Sequence, residues 1–285
     1  MLSGVILAGG VSKRMAGERK ALLPFCGRPL IAGQLDRMRR LCDELIVVTD
    51  DPKPLLPVLE RGDRLITDFY PQAGALGGMH AGLSLARHEA VWIVGGDMPF
   101  VSSEAAALLL AHLRLGLDAA IPLVQGGLYP LHGVYARGCR DQAAALLEAG
   151  ETRAAALLRR LFWSELGDAS FRERGVPLNF VASVKTPSDY ARLVREAEAG
   201  EAAGGDSEVR AGDGAAAAGA VEGAADRPAP PVSRERVVAT DGGLAGGAIA
   251  AGGLAASAAA AELFADGTAA DSADAPSGQP DGGRL

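Results

Sequence analysis

Short apolar runs alternate with amphipathic patterns through most of the chain. The first run, at 2–7, stops at Ala8-Gly9-Gly10, which is typical of a buried strand that ends in a tight loop. Similar runs predict further strands at 44–49, 64–67, 91–96, 119–124, 128–135 and 179–182. Apolar residues at helical spacing predict helices at 29–41, 76–88, 103–115, 139–149, 152–162 and 187–197.

This order of elements predicts an α/β fold. Strands that are apolar throughout are buried on both faces, and helices between them serve as crossovers in a mainly parallel sheet. We therefore expect three layers, with helices on both sides of one sheet. Ligands of such sheets bind at the carboxyl ends of the strands. The residues just after the first, third and fourth strands are the expected place for chemistry.

The last part of the chain has a different composition. Of positions 199–285, 28 are Ala and 17 are Gly, and Phe264 is the only aromatic residue. Such a segment lacks the large apolar side chains whose burial offsets the entropy lost on ordering. We divide the chain into a folded domain at 1–198 and an Ala/Gly-rich acidic tail at 199–285, which we expect to be disordered.

Most of the negative charge belongs to that tail. It holds 13 acidic and 5 basic residues of the 35 and 28 in the whole chain, which leaves 22 acidic and 23 basic residues in the folded domain. A domain of net charge +1 lacks the excess of basic residues that sequence-independent binding of nucleic acid requires. We expect no nucleic-acid partner.

The cysteine and apolar patterns indicate a cytoplasmic protein without a membrane partner. The three cysteines are widely spaced and form no CxxC pair, so they indicate neither a disulfide framework nor a thiolate zinc site. The apolar run at 2–7 is too short for a secretory signal. No segment has the roughly 18 to 20 uninterrupted apolar residues of a membrane-spanning helix.

The loop after the first strand has the composition of a phosphate-binding loop. Gly9 and Gly10 let the backbone turn sharply and approach a phosphate or a base, while Lys13, Arg14 and Lys20 supply positive charge. This suits a nucleoside triphosphate, although the loop matches neither GxGxxG nor GxxxxGK[ST]. The alternative is a glycine-rich turn with solvated charges.

The third strand is followed by Asp68 and then by a glycine-rich segment, GALGGMHAG. Because glycine costs about 1 kcal/mol relative to alanine inside a helix, four glycines near one helix start indicate a close approach by a ligand or another part of the backbone. Tight packing of the helix on the sheet would account for one or two of them. Taken alone, Asp68 is better explained as a helix cap or a turn residue than as a ligand contact.

After the fourth strand comes Gly95-Gly96-Asp97-Met98-Pro99. An aspartate at the end of a central strand, with glycines leaving space before it, is well placed to bind Mg²⁺ through one carboxylate, waters and phosphate oxygens. A turn between Asp97 and the following proline is the alternative.

Together these segments resemble the molybdenum cofactor guanylyltransferases, within the wider nucleotidyltransferases. The resemblance spans about 1–195. It is carried by LAGGVSKRMAGERKALL (7–23), TDFYPQAGALGGMHAGL (67–83), GGDMPF (95–100), YPLHGVY (129–135) and VKTP (184–187).

The resemblance implies a Rossmann-like nucleotidyltransferase fold for 1–198 and a Mg²⁺-dependent reaction. In that reaction GMP passes from GTP to the terminal phosphate of molybdenum-bound molybdopterin, and pyrophosphate is released. GTP and the molybdenum cofactor are then the expected partners, together with transient contacts to molybdoenzyme maturation proteins. The implied nucleotide contacts are made by Leu7, Ala8, Gly9, Gly10, Lys20 and Asp68, the implied metal ligand is Asp97, and the implied catalytic residues are Arg14, Lys20 and Asp97.

Several positions depart from the family pattern. Arg19 stands where an Asp or Asn usually precedes the loop lysine, and Ser183 and Lys185 replace the two asparagines of a pattern close to N-x-N-T-P. Asp50-Asp51 occupies a position where Asn is frequent. A carboxylate accepts hydrogen bonds from the guanine N1–H and amino groups, so we expect Asp50 to read the base.

Two other functions remain open at this point. One is a cytidylyltransferase acting on molybdopterin or on a sugar or polyol phosphate through the same loop and aspartate. The other is a regulatory protein that binds nucleotide without turnover, which the departures at Arg19, Ser183 and Lys185 suggest.

Overall fold

A computed structural model of the chain describes residues 1–10, 15 and 17–208, with side chains described up to residue 200. The strands are β1 (Ser3–Leu7), β2 (Pro24–Phe25), β3 (Arg28–Pro29), β4 (Glu44–Val48), β5 (Arg64–Ile66), β6 (Ala90–Gly95), β7 (Ala119–Val124), β8 (Gly127–Leu128), β9 (Val134–Ala136) and β10 (Trp163–Gly167). The helices are α1 (Leu30–Arg39), α2 (Gly74–Leu85), α3 (Ser103–Leu113), α4 (Cys139–Glu148), α5 (Ala154–Leu157), α6 (Asp168–Arg172) and α7 (Pro187–Glu208).

One mixed, mostly parallel sheet forms the centre of the domain. Its strand order is β10-β7-β9-β6-β1-β4-β5, and β8 pairs with the outer part of β7. Strands β6, β1, β4 and β5 are mutually parallel, as are β7 and β10. Strand β9 is antiparallel to both β6 and β7, so β6 and β7 are parallel to each other. The strands β1, β4, β5, β6, β7 and β10 therefore all run in one direction. The predicted α/β fold with a mainly parallel sheet is confirmed.

The two faces of this sheet bury separate apolar cores. Ile6 of β1 and Trp92 of β6 point to the face covered by α1 and α3, whereas Val5 and Ile93 point to the face covered by α2 and α4. All four side chains are fully buried. This alternation is the period of two that a strand imposes, and it explains why the strands read as continuous apolar runs.

Helix α2 lies close against β1 because two of its glycines face that strand. A Cβ added at Gly82 would lie 2.6 Å from Val5 Cγ1, and one added at Gly78 would lie 3.1 Å from Leu7 Cδ2. Gly74 begins the helix with φ +59°, a conformation that L-residues rarely adopt. Packing and turn geometry therefore account for these three glycines.

Two predicted strands differ in the structure. The strand predicted at 179–182 is wrong, because Leu178–Val181 forms a 3₁₀ helix. The strand predicted at 128–135 is divided into β8 and β9 by a turn at Pro130, whose carbonyl accepts the Tyr135 hydroxyl at 2.8 Å. Proline has no N–H to donate to a sheet, which favours this interruption.

The segment after α5 also departs from the pattern. The helix predicted at 152–162 is reduced to α5 and a 3₁₀ turn at Leu158–Arg160, and the edge strand β10 and helix α6 that follow were not predicted. The inward positions of β10 are Ser164 and Leu166, and the polar serine hides the alternation typical of a strand. The buried hydroxyl of Ser164 is hydrogen-bonded to His112, whose Nε2 lies 2.9 Å from the Ser164 Oγ.

Helix α7 continues past the predicted domain boundary at 198 and is described as far as Glu208. It begins with a reciprocal cap. The Thr186 hydroxyl accepts a bond from the Asp189 N–H at 3.2 Å, and the Asp189 carboxylate accepts from the Thr186 N–H at 2.9 Å. Positions 209–285 lie outside the described residues, so the division into a domain and a disordered tail stays a prediction.

Candidate functional site

The loops that carry the predicted site residues meet at one edge of the sheet. Leu7, at the end of β1, pairs with Val48 of β4 on one side and with Gly95 of β6 on the other. Val48 in turn pairs with Ile66, at the end of β5. Because these strands are parallel and in register, the residues that follow them form one continuous rim.

Lys20 and Asp97 are in direct contact on this rim. Lys20 begins a short 3₁₀ helix after the glycine loop, and its Nζ lies 3.0 Å from Asp97 Oδ2. Their side chains are 23% and 28% exposed, so the pair is partly shielded yet open to a ligand. A cation and a carboxylate held this closely are suited to bind the phosphates and the metal ion of one nucleotide.

The backbone around Asp97 is fixed by a buried glutamine. Gln34 of α1 is fully buried, and its Nε2 donates to the carbonyls of Gly95 at 2.7 Å and Met98 at 2.9 Å. Gly96 also allows close contact with β1, because an added Cβ would lie 2.8 Å from the Leu7 carbonyl oxygen. The loop that carries Asp97 is therefore anchored to helix α1 by Gln34 and lies closely against strand β1 at Gly96.

The glycine loop is anchored in the same way at its start. The Leu7 carbonyl accepts from the Gly96 N–H at 2.9 Å, and the Ala8 N–H donates to the Val48 carbonyl at 2.8 Å. A Cβ at Gly9 would come within 3.8 Å of the Asp50 backbone nitrogen. The turn continues at Gly10, which has φ +83°. Gly9 and Gly10 are thus the positions where the loop leaves the sheet and can meet a ligand.

Arg19 ties this loop to the end of β4. Its Nη1 lies 2.7 Å from Asp50 Oδ1 and its Nη2 lies 3.2 Å from Asp51 Oδ2. The hydrogen bond from Arg19 lowers the pKa of Asp50 below its usual value, and a bond from the Gly10 N–H acts in the same direction. Asp50 therefore keeps its negative charge on the rim.

Asp68 lies in a recess of the neighbouring helix. Its Oδ1 accepts from the Tyr70 N–H at 2.9 Å, and a Cβ at Gly77 of α2 would lie 2.3 Å from its Oδ2. Burial raises the pKa of Asp68, and burial lowers the pKa of the nearby His80. Gly77 thus provides the space that the carboxylate occupies.

The segment before α7 lies beside the Asp97 loop. The Val184 N–H donates to the Asp97 carbonyl at 2.8 Å, and the Val184 side chain is buried. Ser183 and Lys185, two of the departures from the family pattern, therefore flank a residue whose N–H is bonded directly to Asp97. Lys185 is exposed.

The structure brings most of the predicted site residues together. The members of the rim that lie in the described part of the chain are Leu7, Ala8, Gly9, Gly10, Lys20, Asp50, Asp68 and Asp97. Arg14 lies outside the described residues. Sequence reasoning missed Gln34, and it recognised Gly77 only as one of four glycines that indicate a close approach. The signal for Gln34 was a polar residue on the apolar face of α1, between Leu30 and Met38.

Asp97 is the candidate metal ligand that the sequence predicts. Within the described ranges, no group of three or more His, Cys, Asp or Glu residues is arranged to hold one. A single carboxylate is nevertheless sufficient for Mg²⁺, which commonly takes its other ligands from water and substrate phosphates.

Among the described residues, no helix is both long and apolar enough to cross a membrane.

Comparison with known proteins identifies a family for most of this domain. Residues 4–166 match the MobA-like NTP transferase domain. The molybdenum cofactor guanylyltransferase of Desulfosudis oleivorans is 32% identical over 160 residues, which cover 56% of this chain and 78% of that protein. A probable molybdenum cofactor guanylyltransferase of Chloroflexus aggregans is 30% identical over 196 residues, covering 66% of this chain and 91% of that protein.

A similar fold occurs in a solved structure from Archaeoglobus fulgidus. That protein is described as molybdopterin-guanine dinucleotide biosynthesis protein A and superposes with a TM-score of 0.60 at 25% identity. The match covers 69% of this chain and 98% of the archaeal protein. The predicted Rossmann-like nucleotidyltransferase fold is therefore confirmed.

Proposed function

The chain belongs to the MobA-like NTP transferase family, and from that membership we propose that it transfers GMP from GTP to the terminal phosphate of molybdenum-bound molybdopterin. An oxygen of the acceptor phosphate attacks the α-phosphorus of GTP. The bond from that phosphorus to the bridging oxygen of the β-phosphate breaks, and pyrophosphate leaves with the oxygen. The two guanylyltransferase relatives described above support GMP as the transferred group.

The contact between Lys20 and Asp97 is the observation that carries this proposal. The reaction brings two anionic groups together, so the protein must neutralise charge and align the reactants rather than supply a nucleophile. Lys20 binds the phosphates of GTP through its ammonium group, which is held 3.0 Å from Asp97 Oδ2. The backbone of Leu7, Ala8, Gly9 and Gly10 holds the nucleotide from the β1 side, and Arg14 adds a further cation.

Asp97 is the proposed ligand for Mg²⁺. Its carboxylate projects from a loop whose glycines leave space around it, since a Cβ at Gly95 would lie 2.9 Å from Asp97 Oδ1. When bound, the ion would neutralise phosphate charge and polarise the transferred group. Because Lys20 Nζ lies 3.0 Å from Asp97 Oδ2, the ammonium group and the ion would act on the same part of the triphosphate.

Asp50 is the proposed reader of the base, and Asp68 the proposed contact to the nucleoside. An ionised carboxylate only accepts hydrogen bonds, and guanine presents two adjacent donors, N1–H and the 2-amino group. Cytosine offers one donor, its 4-amino group, beside the acceptor N3. The carboxylate of Asp50 would repel the lone pair of N3. The side chain of Asp50 is 54% exposed and can reach a ligand. This preference argues against the cytidylyltransferase alternative.

A paired assay of GTP and CTP tests the proposal. Each nucleotide is incubated with Mg²⁺, with and without molybdenum-loaded molybdopterin, and pyrophosphate release is measured. We expect release that requires the acceptor and that is faster with GTP. Faster release with CTP would favour the cytidylyltransferase, while GTP binding without release would favour the regulatory protein. The cytoplasmic location and the transient contacts to maturation proteins stay predictions.

A further inference from the structure

Two departures from the family pattern contact each other at the rim. Arg19 and the pair Asp50-Asp51 are 31 and 32 residues apart in sequence, yet each terminal nitrogen of the guanidinium meets one of the two carboxylates, at 2.7 Å and 3.2 Å. Arg19 is only 17% exposed, whereas Asp50 and Asp51 are 54% and 44% exposed. The guanidinium therefore lies beneath the two acids and leaves their outer surfaces open.

This arrangement restricts the orientation of the Asp50 carboxylate. Its Oδ1 accepts from Arg19 at 2.7 Å, and the backbone N–H of Gly10 is a further cause of the lowered pKa of this carboxylate. An ionised carboxylate has about four acceptor positions, so roughly two remain for a ligand. Because Gly10 belongs to the glycine loop, the carboxylate is held against the segment where the nucleotide is proposed to bind.

Arg19 also offsets negative charge next to an anionic ligand. Asp50 and Asp51 would together repel a triphosphate if no cation stood beside them. A lysine in place of Arg19 would supply charge but not the planar fork that meets two carboxylates at once. The two effects of Arg19 can be measured separately. Its charge changes the affinity for every nucleotide, whereas its orientation of Asp50 changes only the affinity for a base that Asp50 reads.

We propose that Arg19 is a positioning residue for base selection, which holds the Asp50 carboxylate so that it accepts from both the N1–H and the 2-amino group of a guanine ring. This inference rests on the proposed function and adds to it a residue that does not touch the base. A fixed carboxylate loses less freedom when the ligand binds, so it discriminates more strongly than a mobile one.

The test compares GTP with inosine triphosphate, which lacks the 2-amino group. Dissociation constants for both are measured by titration calorimetry on the full chain. We expect the wild type to bind GTP about tenfold more tightly than inosine triphosphate, as a lost hydrogen bond to a charged group implies. In Arg19→Ala both affinities fall, and the ratio drops to about threefold or less. In Arg19→Lys we expect the affinities for both nucleotides to return closer to the wild-type values than the ratio between them does.

Arg137→Ala is the matched control. Arg137 forms a similar ion pair with Glu89, at 2.6 Å, but lies beyond the amino end of β6, away from the rim. Both dissociation constants should match those of the wild type. Circular dichroism and melting temperature establish that each variant is folded.

The outcomes separate this inference from the proposed function. A wild type that binds neither nucleotide contradicts the proposed function. A wild type that discriminates, together with a folded Arg19→Ala that keeps the same ratio, overturns the role of Arg19 alone.

Discussion

Lys20 Nζ lies 3.0 Å from Asp97 Oδ2, while the preceding residue, Arg19, pairs with Asp50 at 2.7 Å. Asp97 follows β6 and Asp50 follows β4, the two strands that flank β1. Two consecutive cations therefore tie one loop to both neighbours of the central strand. We propose that the cation that faces Asp97 binds the phosphates and that the cation that faces Asp50 positions the carboxylate that reads the base.

Replacing Asp97 should separate turnover from binding. Asp97→Asn keeps the size of the side chain but removes the charge that a divalent ion requires, so we expect kcat to fall about 100-fold or more. GTP affinity should change by about threefold or less, because the loop and Lys20 still hold the nucleotide. Pyrophosphate release and titration calorimetry measure the two quantities. Unchanged turnover would reject the metal-binding role.

Replacing Lys20 should instead weaken binding and turnover together. Lys20→Ala removes the ammonium group and leaves Asp97 without that partner, so its carboxylate would then repel the triphosphate. We expect GTP affinity to fall about tenfold or more, with a further loss in kcat. Lys20→Arg, which keeps the charge, should retain part of both. A GTP titration curve for Lys20→Ala that superimposes on the wild-type curve would exclude a phosphate contact.

The sequence predicts the sheet and the location of the site because both depend on local patterns. Val5, Ile6, Ile93 and Val94 lie in apolar runs whatever their partners are, and glycines interrupt those runs where loops begin. The edge strand β10 escaped prediction because its inward Ser164 is satisfied by a residue from a distant helix. Burial there depends on a tertiary contact that no local pattern contains.

The pairings within the site were beyond the reach of sequence reasoning. Arg19 and Asp50 were recognised as two separate departures, and only the folded chain shows that they form one ion pair. Similarly, the glycines of α2 indicated a close approach, but most of it comes from the protein itself. Gly82 meets Val5, Gly78 meets Leu7, and Gly77 meets Asp68.

The recess at Gly77 should be required for the position of Asp68. In Gly77→Ala the new Cβ would lie 2.3 Å from Asp68 Oδ2 and 2.8 Å from Ala73 Cβ, so the carboxylate must move. We expect weaker GTP binding even though alanine favours the helix by about 1 kcal/mol. Gly138→Ala is the control, because no atom lies within 4 Å of its added Cβ. If Gly77→Ala bound GTP as tightly as Gly138→Ala, the position of Asp68 would not matter for the nucleotide.

The buried imidazole of His132 should make the fold sensitive to acid. His132 is fully buried between the rings of Trp92 and Phe180, and its Nε2 accepts from the Ser102 N–H at 3.3 Å. Burial lowers the pKa of His132 to about 3, whereas a histidine in the unfolded chain titrates near about 6.5. Between these values the unfolded state binds a proton that the folded state does not. The free energy of unfolding should therefore decrease as pH falls from about 6.5 towards 3, by up to about 1.4 kcal/mol per pH unit.

His132→Gln isolates this contribution, since glutamine offers the Ser102 N–H an acceptor and does not titrate. Urea unfolding of both proteins at several values between pH 4 and about 7 gives the two slopes. Other titrating groups, including His80 and the carboxylates, remain in both proteins and cancel in the comparison. We expect the variant to be less stable at neutral pH because its packing is altered, but to lose stability more slowly on acidification. Parallel curves for the two proteins would mean that His132 takes up its proton without unfolding the domain.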